Sequence, residues 1–290
     1  MTVGRTTTDD LNDSMPKIIG ASRVVRENEG EMMSTVDRQT LGKGMGLTWH
    51  EVSYAQITAQ AIDENTILDN PQKLSDTDFP LTPNQSGIET LLTDLVGQRM
   101  VQHGVSKLGV LAQNAMTRFK LRSGITAMDG FTTSLGAAGT ATFGHINAAG
   151  VRITGNPTEP GPNPLHAQLH SFVIKDLSDE LTAPIGTYDI QAGGLSAQAM
   201  RTGFQGMIGN VSVHVNNEIP IVSNVAKGGV YSKMGLVLLQ GRSPRAVAVR
   251  REDIGGGATI MYHYDDFVWG ERSSGNWGYE MEHDATVPTA

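Results

Sequence analysis

Cysteine is absent from the 290 residues. That absence removes disulfides, thiolate catalysis and cysteine-ligated zinc together. No positively charged opening followed by an apolar run begins the chain, so no signal peptide is read. No stretch approaches the ~18 consecutive apolar residues of a membrane helix. The expectation is a soluble protein made in the cytoplasm. Basic residues are in deficit, with 22 Lys and Arg against 30 Asp and Glu and a net charge of −8. Phosphate neutralisation needs Lys and Arg, so general nucleic-acid binding is disfavoured unless basic side chains cluster locally. A Gly-x4-Gly-Lys-Ser/Thr phosphate loop is also missing.

Glycine is abundant, at 34 residues, above the ~7% of ordinary domains. Turns and β-rich regions are therefore expected. The hydrophobic fraction of 39% supports a real core, and the length suggests one or two domains. Residues 1–46 differ from the rest: 14 of those 46 are apolar. Mixed charges and the lack of any sustained period leave this segment too little to bury against its ordering entropy. It reads either as a disordered tail or as an arm that orders only against a neighbour.

Residues 47–83 read as a long hairpin or extended loop. Thr48 to Ala59 is rich in β-formers, a polar zone from Asp63 to Pro71 turns the chain, and the limb from Lys73 to Leu81 returns. An isolated two-stranded hairpin is marginal in water, so it needs something to lie on. Ser86-Gly87-Ile88-Glu89 fits a capping box. Apolar residues recur at three- and four-residue spacing from Ile88 through Leu95, Val105 and Ala112 to Phe119. That spacing predicts a long helix from Ser86 to about Arg122, with Gly97, Gly104 and Gly109 as places to bend or pack closely. Arg99, Lys107, Arg118, Lys120 and Arg122 against Glu89 and Asp94 leave this stretch with a local net charge of +3. The patch reads as a solvated face or as one that tolerates nucleic acid.

Residues 123–164 are rich in Gly, Ala and Thr, and then in proline from Asn156 to Pro164, where regular structure is excluded. A strand at Leu165–Leu169, a helix at Ser171–Leu181 and a short helix near Ser196–Thr202 after Gly193-Gly194 are expected. Short strands should follow at Val211–Val215, Ile219–Val222, Gly229–Ser232 and Leu236–Leu239. Near the C-terminus Ile260, Tyr262 and Tyr264 alternate with polar residues. So do Trp277, Tyr279 and Met281 after a polar turn at Arg272–Asn276. This pattern predicts an antiparallel hairpin.

The search for chemistry finds no credible active site. Gly42-Lys43-Gly44-Met45-Gly46 reads as a hinge. Gly194-Leu195-Ser196-Ala197 lacks the final glycine of a nucleophile elbow. His50-Glu51 lacks the second histidine of a zincin helix. His166 and His170 share a strand face, but no third metal ligand can be placed. His263 with Asp265 and Asp266 reads as a polar-face trio. Trp49, Trp269 and Trp277 read as packing anchors. No catalytic, cofactor or metal residue is assigned.

The order of these stretches is similar to a known family. Tyr54-Ala55-Gln56-Ile57-Thr58-Ala59-Gln60 is followed by Leu81-Thr82-Pro83. Pro164-Leu165-His166-Ala167-Gln168-Leu169-His170 comes next, then Lys227-Gly228-Gly229-Val230-Tyr231-Ser232-Lys233. Gly278-Tyr279-Glu280-Met281 and Asp284-Ala285-Thr286-Val287-Pro288-Thr289 close the series. Together with the arm, hairpin and long helix, they make the chain resemble the major capsid proteins of tailed bacteriophages with the Hong Kong 97 fold.

The resemblance implies an α+β subunit. Residues 1–46 would be an N-terminal arm, 47–83 an E-loop and 84–143 a P-domain with its spine helix. Residues 144–233 would be an A-domain with a central mixed sheet and flanking helices. Residues 234–290 would return as β structure to the A- and P-domains. The resemblance also implies a structural, non-enzymatic role in an icosahedral shell around a double-stranded DNA genome, held by weak nonspecific contact. Copies would associate as hexamers and pentamers, with scaffolding, portal and decoration proteins as further partners and no membrane. The expected location is the virion, with assembly in the bacterial host cytoplasm. With no large pro-segment ahead of the arm, a separate scaffold or an already removed segment is expected. The Lys–Asn cross-link of some relatives finds no matching residues. Arg23, Arg26, Arg38, Trp49, Tyr54, Asp76 and Asp78 are the expected intersubunit contacts. Arg99, Lys107, Arg118 and Lys120 are the expected lumen-facing cations. Two alternatives stand beside this reading: an encapsulin-type nanocompartment shell, and a metal-dependent hydrolase using His166 and His170.

Overall fold

Among the described residues, alternating and periodic stretches of the sequence become three sheets and four α-helices. The structure, a computed structural model, describes residues 31–65, 71–99, 102–182, 206–273 and 275–289. Arg23, Arg26 and the helix expected at 196–202 lie outside the described residues. A 3-10 turn at Glu31–Ser34 leads to β1 (Asp37–Thr40), β2 (Trp49–Tyr54), β3 (Asp76–Leu81) and β4 (Asn84–Thr93). Then come α1 (Asp94–Arg99), α2 (Gln102–Asp129), β5 (Ser134–Gly139), α3 (Phe143–Thr154), β6 (Leu165–Leu169) and α4 (Ser171–Thr182). Strands β7 (Met207–Ile208), β8 (Val211–Val215), β9 (Ile221–Val222), β10 (Val225–Ser232), β11 (Leu236–Arg251), β12 (Ala258–Glu271) and β13 (Gly278–Asp284) complete the chain.

A four-stranded sheet has the order β1-β11-β12-β4. A larger mixed sheet runs β5-β13-β10-β6-β8-β7, with β9 also on β10, and β2 pairs β3 alone. Helix α2 lies over both larger sheets. Trp269 of β12 donates its indole N–H to the Lys120 carbonyl at 3.0 Å, and Phe119 meets Phe267 edge-on at 6.0 Å. Farther along α2, Met128 and Phe131 close over Gly229 of β10. The opposite face of the mixed sheet carries Leu165 and Val211 against Gly150 of α3. Met128, Ile146, Ile153, Leu165, Leu177, Val211 and Tyr231 are all buried in one continuous core. Removing a side chain such as that of Met128 from such a core costs about 2–5 kcal/mol. Among the described residues, no helix is long and apolar enough to cross a membrane.

The strands β6, β8 and β10, the helix α4 and the proline-rich loop stand where the sequence places them. Two expectations need correction. Ser86–Thr93 is strand β4, not the first turns of a helix. Ser86 Oγ donates to the Asp265 carbonyl at 3.0 Å rather than capping. Gly87 lies flat against β12, where a Cβ would come within 3.0 Å of the His263 carbonyl and the Tyr264 ring. Its neighbours Ile88, Thr90 and Thr93 suit a pleated surface. The closing strands do not form a hairpin with each other. Strand β12 pairs with β11 and β4, whereas β13 pairs with β10 and β5. The real hairpin is β11–β12, turned at Gly255, Gly256 and Gly257, all with positive φ. Helix α3 and strand β5, inside the stretch read as Gly- and Ala-rich, were not expected.

Candidate functional site

The β2–β3 hairpin reaches away from both larger sheets. Its ladder runs from Trp49 opposite Leu81 to Tyr54 opposite Asp76. Its apolar packing, among the described residues, is at the root. Trp49 meets Phe79 edge-on at 6.4 Å, and both rest with Leu81 against Val237, Leu239 and Val268. Beyond the root, Val52, Tyr54, Ile57, Ile62 and Leu74 are exposed, Tyr54 and Ile57 at 67% each. Such a run of exposed apolar side chains is the mark of an interaction surface rather than of a finished fold. By sequence its charges are mostly acidic: Glu51, Asp63, Glu64, Asp69, Asp76 and Asp78 against Lys73. The loop that joins β1 to the hairpin contains Gly44 and Gly46, both with positive φ and open space around them. That backbone suits the hinge expected at 42–46.

The expected contact residues separate into two groups. Tyr54, Asp76 and Asp78 are exposed along the hairpin, Asp78 2.7 Å from His50 Nδ1. Arg38 is exposed on β1 and donates from Nε to the Met33 carbonyl at 2.5 Å. Trp49, by contrast, anchors the hairpin root within its own subunit. Of the expected lumen-facing cations, Lys107 and Arg118 are half-buried on α2, and Arg99 ends α1. Lys120 does not face a lumen. Its ammonium is buried 2.6 Å from Asp265 Oδ2, donates to Gln240 Oε1 at 2.8 Å and lies 4.9 Å from the Phe267 ring centroid. The helix phase of α2 turns this one lysine onto the sheet.

The histidines form pairs rather than one ligand set. His166 Nδ1 is 3.2 Å from His214 Nε2, whose Nδ1 lies 3.1 Å from Glu31 Oε2. Burial, then the neighbouring His214, draws His166 down to about 4. His170 instead packs edge-on against Phe172 at 4.6 Å and accepts that residue's backbone N–H at 3.2 Å. His145 and His283 stack at 5.2 Å, and burial with His145 lowers His283 to about 4. Among the described residues, no cluster of three or more metal-ligating side chains is found. The trio around His263 is divided as well. Asp265 faces Lys120, while adjacent Asp266 points to the other sheet face, 3.6 Å from Arg242.

A groove of about 870 Å³ runs between the end of α2 and the β8–β10 connection. Ile125, Ile219 and Val225 line it, and its Arg122, Glu218, Asp129 and Lys227 are held in ion pairs. Arg122 meets Glu218 at 2.7 Å, and Lys227 meets Asp129 and Glu280 at 3.1 and 3.0 Å.

Two features carried no readable sequence signal. Thr35, just ahead of β1, is buried and donates to the Met32 carbonyl while accepting the Tyr231 hydroxyl at 2.6 Å. That bond ties the stretch ahead of β1 to β10. Arg272, taken from the sequence as one residue of a polar turn, is buried at the junction of the hairpin and the body.

No family model and no curated relative matches the chain. Solved structures do. The head structure of Helicobacter pylori bacteriophage KHP40 aligns with a TM-score of 0.73 at 11% identity, covering 98% of this chain and 99% of that one. The capsid of cyanophage P-SCSP1u gives 0.69 at 11% identity, covering 97% and 96%. Mycobacterium phage Che8 gives 0.69 at 12% identity, covering 92% and 96%. The chain thus aligns almost end to end with chains from phage head and capsid structures at about one identical residue in nine, and it has the Hong Kong 97-type fold.

Proposed function

We propose that this chain is a structural major capsid protein that self-assembles into the icosahedral shell enclosing a phage genome. The single observation that carries the reading is the β2–β3 hairpin. It exposes apolar and acidic side chains along its length, while its apolar packing is at the root and its further ties are the Arg272–Glu51 pair and the Gln56–Thr158 bond. A two-stranded ribbon of this kind becomes stable when another surface covers it, and a sister copy is the surface that a closed shell supplies. Ordering at the moment of contact also links subunit folding to assembly.

In this reading, residues 1–46 form the arm, 47–83 the E-loop, 84–143 the P-domain, 144–233 the A-domain and 234–290 the returning β segment. Arg23, Arg26 and Arg38 on the arm, with Tyr54, Asp76 and Asp78 on the hairpin, make the intersubunit contacts. Arg99, Lys107 and Arg118 face the lumen. They offer weak, salt-sensitive contact to packaged double-stranded DNA, consistent with a subunit whose net charge is −8. Hexamers and pentamers of the chain, a scaffolding protein, a portal and a decoration protein complete the set of partners. Assembly would take place in the host cytoplasm, and the subunit performs no catalysis.

The test is electron microscopy of the expressed chain, alone and with its genomic neighbours, with the particle contents analysed. Closed shells are expected from the full chain. Deleting residues 52–78 should leave a soluble fold and abolish closed shells. Normal particles from the deletion, or a full chain that stays monomeric under every assembly condition, would refute the reading. Shells filled with a cargo enzyme would transfer it to a cellular nanocompartment.

A further inference from the structure

Arg272 follows β12 and holds three separate segments at once. Its Nη1 donates to the Met234 carbonyl at 2.7 Å, on the turn between β10 and β11. Its Nη2 reaches Asp37 Oδ2 at 2.8 Å, at the start of β1. Its Nε and Nη2 both reach Glu51 Oε2, at 2.8 and 2.7 Å, on strand β2 of the hairpin. The Arg272 side chain is 9% exposed, Asp37 17% and Glu51 36%. A guanidinium shielded to this degree holds its partners in direction as well as distance, because its donors form a rigid planar fork.

The hairpin's other attachments are less directional. The apolar root of Trp49, Phe79 and Leu81 resists separation but not sliding, since hydrophobic contact has no preferred angle. Gln56 beyond the strand donates to the Thr158 carbonyl through an exposed neutral bond. Such bonds contribute little net stability. Among the described contacts, the Glu51 one is therefore the most directional and fixes orientation. Leverage enlarges its effect: a turn of ~10° about the root moves a point ~20 Å out, the reach of six strand residues, by about 3.5 Å. That displacement exceeds the length of a hydrogen bond.

We propose that Arg272 is a positioning residue for assembly: by gripping Glu51 it sets the angle at which the hairpin leaves the body, and through that angle the curvature at which copies join. Asp37 and the Met234 carbonyl hold Arg272 from the body side, so the guanidinium cannot follow Glu51 if the hairpin swings. The inference rests on the shell reading for its consequence but not for its geometry.

Glu51→Gln tests it, because that change leaves Arg272 held by Asp37 and Met234. Asp37→Asn is the comparison: it removes a carboxylate beside the same guanidinium and touches no hairpin residue, while its amide oxygen can still accept from Arg272 Nη2 and keep the body-side hold. Hydrogen exchange and particle diameters are measured for both variants and for the wild-type full chain. In Glu51→Gln, amides of 49–54 and 76–81 should exchange roughly tenfold to a hundredfold faster, with β10 and β12 unchanged. Its particles should spread in diameter or remain open. Asp37→Asn should keep the wild-type diameter distribution. Unchanged hairpin exchange in Glu51→Gln overturns the latch, and so do wild-type diameters in that variant. An equal disturbance of assembly by Asp37→Asn overturns it too, because that result marks general charge loss at the junction. If even the wild-type chain forms no shells, the shell reading fails, while exchange still decides whether Glu51 holds the hairpin.

Discussion

Replacing Lys120 by Met keeps most of the side-chain stem and removes the one cation that faces Asp265 across the α2–sheet interface. Three groups satisfy each other there. Lys120 Nζ lies 2.6 Å from Asp265 Oδ2 and donates to Gln240 Oε1 at 2.8 Å. Gln240 Nε2 donates to Asp265 Oδ1 at 2.5 Å and to the Asp266 carbonyl at 2.9 Å. Both members of the ion pair are at least nine-tenths buried, with side chains 10% and 6% exposed. Lys120→Met therefore strands a desolvated carboxylate with Gln240 as its remaining donor among these contacts. Breaking such a pair from one side costs about 3–5 kcal/mol. For a chain of 290 residues, the unfolding entropy near the midpoint is ~0.6 kcal/mol per kelvin, so the melting temperature should fall by about 5–8 °C. Urea and thermal unfolding of the dissociated subunit measure this. Adding Asp265→Asn, which stays neutral and still accepts from Gln240, should restore a large part of the loss. A single Lys120→Met variant within about 1 kcal/mol of wild type would refute the reasoning. So would a double variant less stable than the single one.

Acid should weaken the subunit through its paired histidines. His166 and His283 are each drawn from the usual 6.5 to about 4, first by burial and then by a neighbouring imidazole. Between those values the unfolded chain binds protons that the folded chain refuses, so stability is full above pH 6.5 and falls as pH drops toward 4. His283→Gln, which keeps a donor for the Gly139 carbonyl, should flatten that slope in urea midpoints measured from pH 7 to 4; an unchanged slope would exclude His283 as a contributor. Gly136 has φ +101°, and a Cβ there would come within 2.4 Å of the Glu282 carbonyl and the His283 ring. Gly136→Ala should cost at least about 2 kcal/mol from strain and displacement of β5. Gly44→Ala, also at positive φ but in open space, should cost about 1 kcal/mol, and equal losses from the two would contradict the packing argument.

Local pattern was legible wherever a segment's own residues decide its state. Richness in β-formers marked the first hairpin limb, short runs marked β8 and the end of β10, and alternation marked β12 and β13. The 3.6-residue period marked α4 and the body of α2, and Asn156–Pro164 stopped regular structure. The helix start was misread because Ile88, Leu91, Leu92 and Leu95 satisfy helical spacing, while the shorter run Ile88–Leu92 also serves as a strand. Only the ten-residue ladder against β12 selects the strand. The closing strands were recognised by their period, but their partners were not. A period of two says that one face is buried, and it does not say against which neighbour.

The candidate contact surface divides in the same way. The exposed acidic limb of the hairpin follows from composition, and so does the absence of a catalytic constellation in the sequence. Lys120 was grouped with Lys107 and Arg118 because a list of cations carries no information about an aspartate 145 residues away. Arg272 looked like a turn residue because its partners Asp37 and Glu51 lie 235 and 221 positions earlier.

By itself the sequence determined that no disulfide or thiolate is available, that glycine and proline break the chain into short elements, and that residues 47–83 have too little of their own to bury. Those properties are local: each depends on residue type and the few neighbours along the chain. Only the tertiary structure decided which strands meet, that Lys120 turns inward, and that Arg272 grips the hairpin. Those outcomes depend on where the chain returns after 100 residues or more, and on which charges then find themselves out of water together.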